Sequence, residues 1–141
     1  AIDGLLSRSS SKEDMKSVKE LRLAKVYEAA QHVKGTKQSS LLYEAAVIER
    51  TLGNTDNAAA TITAALVANP NNFQMRLVHI DLALASGDTT TAKKEIDWCL
   101  LRRPDSQKLQ GRIQRLKQLR IEQASMPTAL NKSVGTPGAR R

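Results

Sequence analysis

The chain matches itself at an offset of 34 residues. Gly53 aligns with Gly87, Thr55 with Thr89, Ala58 with Ala92, Ile62 with Ile96, Leu66 with Leu100 and Pro70 with Pro104. Self-similarity at such a period marks a stack of supersecondary units, each too small to bury its apolar face alone. The matched residue types also make physical sense together. In each copy a glycine ends one helix, where a left-handed backbone costs it no Cβ clash. Asp56 in one copy, and Thr89 or Thr90 in the other, offer side-chain oxygens to open the next helix. Ala58, Ile62 and Ala65 recur as Ala92, Ile96 and Cys99, which places small, large and small side chains on one helical face. Pro70 and Pro104 then disfavour helix in the residue before them.

The repeat covers residues 39–72 and 73–106 and resembles the tetratricopeptide repeat. That family pairs two antiparallel helices, with Gly between them, Ala at close contacts and Pro after the second helix. The first helices depart from its pattern. Its usual Trp is Leu42 or Arg76, its usual aromatic is Glu49 or Ala83, and its usual small residue is Ala46 in one copy but Ile80 in the other. The resemblance implies an all-α fold, a short right-handed α-solenoid of antiparallel helix pairs.

Two repeats alone leave apolar faces open at both ends, so the flanks must contribute. Ser11 and Asp14 have the spacing of a capping box and predict a helix from there to the Gly35 stop, with Leu23, Tyr27 and Ala30 on its apolar face. After Pro104, Asp105 or Ser106 opens a last helix with Leu109, Ile113 and Leu116 inside. The expected helices lie near 12–34, 37–52, 56–68, 72–86, 89–102 and 106–124, with no strand, and together form one domain over residues 11–124. Residues 1–10 read as a flexible lead-in. Residues 125–141 hold Pro127, Gly135, Pro137 and Gly138 and too few apolar side chains to offset ordering, so they read as a disordered basic tail.

Charge is divided unevenly. Residues 1–101 hold 12 Lys/Arg and 12 Asp/Glu, whereas residues 102–141 hold 10 against 2, which places the whole net charge of +8 at the C-terminal end. That end is either a solvated basic face or a footprint for an acidic partner. Aromatics are 3% of the chain, so Ala, Leu, Ile and Val must fill the core. No run approaches the ~20 apolar residues of a membrane span. A single cysteine excludes an intrachain disulfide and leans towards a cytoplasmic setting, with a bacterial periplasm or an assembled particle as the alternatives.

Residue types for chemistry are sparse. His32 sits near a helix end and His79 on a first helix, and neither has a second ligand at metal spacing. Cys99 takes the close-packed place that Ala65 holds one repeat earlier, which predicts a buried structural thiol. Trp98 reads as a packing residue, with an exposed partner anchor as the alternative. Glu44 and Glu49 read as solvated surface. Phosphate loops, nucleophile elbows and dinucleotide fingerprints do not occur, so neither catalysis nor a cofactor or metal is expected.

The family resemblance implies a concave groove lined by first helices. Carried over position by position, it predicts Ser40, Tyr43, Val47 and Arg50, then Gln74, Leu77, Asp81 and Leu84, and from the last helix Lys108, Gly111, Arg115 and Gln118. Tyr43, Val47, Leu77 and Leu84 would give apolar contact, while Lys108, Arg112 and Arg115 form one helical row that would orient an acidic partner. The expectation is a non-catalytic adaptor or assembly module that binds a peptide, a helix or a neighbouring subunit. The alternatives are nucleic-acid or acidic-surface binding by residues 102–141, and a structural subunit of a large particle.

Overall fold

The structure is a computed structural model that describes residues 2–125, with side chains from residue 11 onward. Six helices follow in order: α1 Ile2–Ala30, α2 Gly35–Thr51, α3 Thr55–Ala68, α4 Phe73–Ser86, α5 Thr89–Arg102 and α6 Gln107–Ala124. The chain is all-α, with no strand among the described residues. Gly53 and Gly87 have φ of +84° and +78°, so the two equivalent turns of the repeat use the backbone region that only glycine enters without penalty.

Helix starts differ in part from expectation. Asp88, not Thr89 or Thr90, caps α5 by accepting from the Thr91 N–H, and Asn54 precedes α3 without a side-chain cap bond. Ser106 caps α6, and Asn72 caps α4 through the Met75 N–H. The first helix is the larger correction. α1 already runs from Ile2, so Ser11 and Asp14 lie inside it and are no cap, and the segment read as a flexible lead-in is helical. Extending an existing helix costs far less than nucleating one, and residues 2–10 contain no proline to stop it. α1 ends at Ala30, before Gly35, whose φ of +67° instead sets the entry of α2. The expected tail lies outside the described residues, apart from Ser125.

Every helix packs against the next in the chain, and α4 also touches α6. Their directions follow from cross-contacts. Gln38 reaches the Ala30 carbonyl and Arg22 reaches Glu44, so α1 and α2 are antiparallel. Asp81 binds Arg112 and Gln123 donates to the Gly87 carbonyl, so α4 and α6 run the same way. The connections 31–34, 69–72 and 103–106 therefore share one long edge of the molecule, and 52–54 and 87–88 share the other.

The repeated apolar face is the core. Ala58, Ile62, Ala65, Ala92, Ile96 and Cys99 are all buried. Alanine at these crossings lets the backbones approach, and a fully buried Ile62 contributes about 1.5–3 kcal/mol of burial. Leu109, Leu116 and Leu119 of α6 close the C-terminal cluster with Leu77, Ile80 and Ile96, and Ile113 packs against it from a less buried position. Among the described residues, no helix is long and apolar enough to cross a membrane.

Candidate functional site

Helices α2, α4 and α6 converge on one open cleft of about 550 Å3, lined by Arg50, Asp81, Leu84, Ala85, Gln107, Lys108, Gly111, Arg112 and Arg115. Arg50 comes from the last turn of α2. Asp81, Leu84 and Ala85 occupy one face of α4. Lys108, Gly111, Arg112 and Arg115 are spaced three and four residues apart, so α6 presents them as one row.

Asp81 organises this wall. Its carboxylate accepts from Arg112 Nε at 2.7 Å and Nη2 at 2.8 Å, a two-pronged contact, and Arg50 approaches at 3.7 Å. Arg112 also donates from Nη1 to the Lys108 carbonyl at 2.6 Å. A guanidinium held at three atoms has little rotamer freedom left to lose when a ligand arrives. Arg115 lies 3.8 Å from Glu122, with both side chains half exposed, and Lys108 has no carboxylate partner among the described residues. Four cations face one acid, so the cleft is electropositive. Gly111 deepens it: a Cβ there would meet nothing within 4 Å.

Six of the ten residues expected to bind a partner thus share this cleft: Arg50, Asp81, Leu84, Lys108, Arg112 and Arg115. The other four do not line it. Leu77 is 1% exposed inside the C-terminal core, because its position on α4 faces α5 and α6 rather than solvent, so it offers nothing to a partner. Tyr43 packs half-buried on the cluster around Ile62. Val47 is exposed one turn before Arg50, and Gln74 is exposed in the first turn of α4. Leu84 is itself buried and forms the floor rather than a free apolar contact. Arg112 is already committed to Asp81, so the basic row is not three equivalent charges.

Two buried polar clusters escaped the sequence reading. Glu49, expected on a solvated face, is 4% exposed; its Oε2 accepts from the Tyr27 hydroxyl at 2.6 Å, and its Oε1 has no partner among the described residues. Glu95 is buried between Arg76, at 2.7 Å, and the Nδ1 of His79. Burial disfavours its charge, but the bonds from His79 and Arg76 outweigh that and hold the carboxyl below its usual range. Tyr27, Thr61 and Glu95 are spaced 34 residues apart, so carrying the repeat to its polar positions was the available signal. Trp98 is half-buried between the guanidiniums of Arg76 and Arg102, 4.4 and 3.7 Å from the ring centre. Cys99 is fully buried, and burial, then Glu95, pushes its thiol up to about 11, which keeps it protonated at neutral pH. Among the described residues no group of three His, Cys, Asp or Glu is placed to hold a metal ion.

No protein-family model, curated protein or solved structure matches this chain.

Proposed function

We propose that the chain is a short α-solenoid of the tetratricopeptide type and serves as a non-catalytic interaction module, taking a segment of another protein into the α2–α4–α6 cleft. The observation that carries this reading is the convergence of Arg50, Asp81, Lys108, Arg112 and Arg115 from three separate helices onto one open cavity. A cleft with four cations and one acid favours a segment bearing carboxylates, and the Leu84 and Ala85 floor takes its aliphatic parts. Gly111 supports the same reading. A glycine inside a helix costs roughly 0.8–1 kcal/mol relative to alanine, and here its effect is to leave the cavity open.

Filling the cleft from its own wall tests the proposal. A displayed library of random peptides is selected on the wild-type protein and on Gly111→Trp, whose indole would occupy the cavity while α6 stays intact. Acidic peptides enriched on the wild type and lost on the variant are the expected result. Equal enrichment on both proteins places binding elsewhere, and no enrichment on either removes the cleft as a peptide site.

A further inference from the structure

We propose that the long edge formed by the 31–34, 69–72 and 103–106 connections binds the phosphate backbone of a nucleic acid without reading its sequence. The helix directions gather the basic residues of the connections on one edge. On this edge the three connections and the first turn of each following helix hold Lys34, Lys37, Arg76, Arg103 and Lys108 against Asp105 alone, and Arg102 ends α5 beside them. The connections and first turns at the opposite edge, 52–58 and 87–92, hold Asp56 and Asp88 and no Lys or Arg; the cations there are Arg50 at the end of α2 and Lys12, Lys16 and Lys19 of α1 beside Thr51 and Leu52. Arg76 is engaged with Glu95. The remaining cations (Lys34, Lys37, Arg102, Arg103 and Lys108) have no carboxylate within reach among the described residues.

Two of these charges are held in place. The Arg102 guanidinium lies 3.7 Å over the Trp98 ring and donates to the Trp98 carbonyl at 3.1 Å, and Arg103 lies 4.3 Å over the Phe73 ring. A stacked guanidinium keeps N–H donors at its edge for an oxyanion and loses less freedom on binding than a free lysine. A nucleic acid carries a charge on every residue, so it suits cations spread over three connections, whereas a peptide would need carboxylates at each of those places. The two aromatic rings lie under guanidiniums and are not bare for base stacking, so contact is made to the backbone and not to the bases.

A fluorescent single-stranded RNA of mixed sequence, titrated onto the full chain at several salt concentrations, tests this. Affinity should fall steeply with salt and vary little with sequence. Arg102→Glu with Arg103→Glu, and separately Lys34→Glu with Lys37→Glu, should each weaken binding about tenfold or more and flatten the salt slope by about 1.4, at ~0.7 per phosphate contact on a single strand. Lys12→Glu with Lys16→Glu, beside Thr51 and Leu52 at the other edge, should have the smaller effect of net charge alone. Unchanged circular dichroism shows that each variant is folded. The proposal is overturned if the RNA does not bind at low salt, or if only replacement of Lys132, Arg140 and Arg141 by Gln abolishes binding. It also fails if a polyglutamate peptide binds as tightly as the RNA, which would make the edge a surface for acidic proteins.

Discussion

Glu49 holds one carboxylate oxygen against the Tyr27 hydroxyl while the other is buried without a partner among the described residues. Among the described residues Glu49 has no salt bridge, so the Tyr27 hydroxyl is its one side-chain donor. Tyr27→Phe would leave both carboxylate oxygens without a donor and should cost about 1–3 kcal/mol, measured by urea unfolding at neutral pH; unchanged stability would mean that this hydroxyl does not reach Glu49 in solution. Glu95 differs, because Arg76 and His79 bind its ionised form. Its folded-state pKa lies below the ordinary value near 4.5, so its contribution is present above that pH and is lost as pH falls through the folded value. Acid unfolding of Glu95→Gln should therefore show a shallower loss of stability below about pH 4.5 than the wild type, and superimposable acid limbs would remove Glu95 from this role.

At the scale of the helix, the two copies of the repeat behave as one packing rule. Ala92 is fully buried at the place Ala58 holds 34 residues earlier. Ala92→Leu should cost roughly 1–3 kcal/mol by overpacking, read from thermal or denaturant unfolding. A tolerated leucine would show that α4 and α5 are farther apart than this register requires. α6 gives a sharper contrast within a single row. The side chains of Arg112 and Asp81 are only 23% and 21% exposed and are bonded at two points, whereas Arg115 and Glu122 are both 51% exposed and 3.8 Å apart. Arg112→Ala should cost about 1 kcal/mol or more, after allowing for the fifth of each side chain that solvent still reaches, and Arg115→Ala close to nothing. Equal losses would mean that Asp81 does not hold Arg112 in solution.

For the whole molecule, cations of the balanced first 101 residues and of the basic remainder mix on two surfaces: Arg50 joins Lys108, Arg112 and Arg115 in the cleft, and Lys34 and Lys37 join Arg102, Arg103 and Lys108 on the long edge. Lys108 stands where they meet. Lys108→Glu with Arg115→Glu should leave stability within about 0.5 kcal/mol, because Leu109, Leu116 and Leu119 are untouched. The same pair should slow association of a cleft-selected acidic peptide and reduce its salt dependence, measured by stopped-flow at two ionic strengths. Unchanged rates and slopes would leave the row as a solvated face.

What the sequence alone determined is what local chemistry and periodicity can carry. Repeating glycines, prolines and the Ala–Ile–Ala spacing recur at one offset, and each has a local cause in backbone conformation or helical register, so helix positions and the buried face of α3 and α5 are legible from them. Charge could be counted but not placed. Whether Arg112 is free, whether Glu49 is solvated, and whether Leu77 faces a groove or the core depend on which helices lie across from them, and no local rule contains that. Helix direction decided the rest. Alternation along the chain brings Lys34, Arg102 and Arg103 to one edge and Asp56 and Asp88 to the other, although in sequence they are interspersed. The start of α1 was also not local: Ser11 and Asp14 have the spacing of a cap, but a cap forms only where the chain turns, and the helix continues through them. Tertiary structure, by setting neighbours across helices, turned a list of charges into a cleft and an edge.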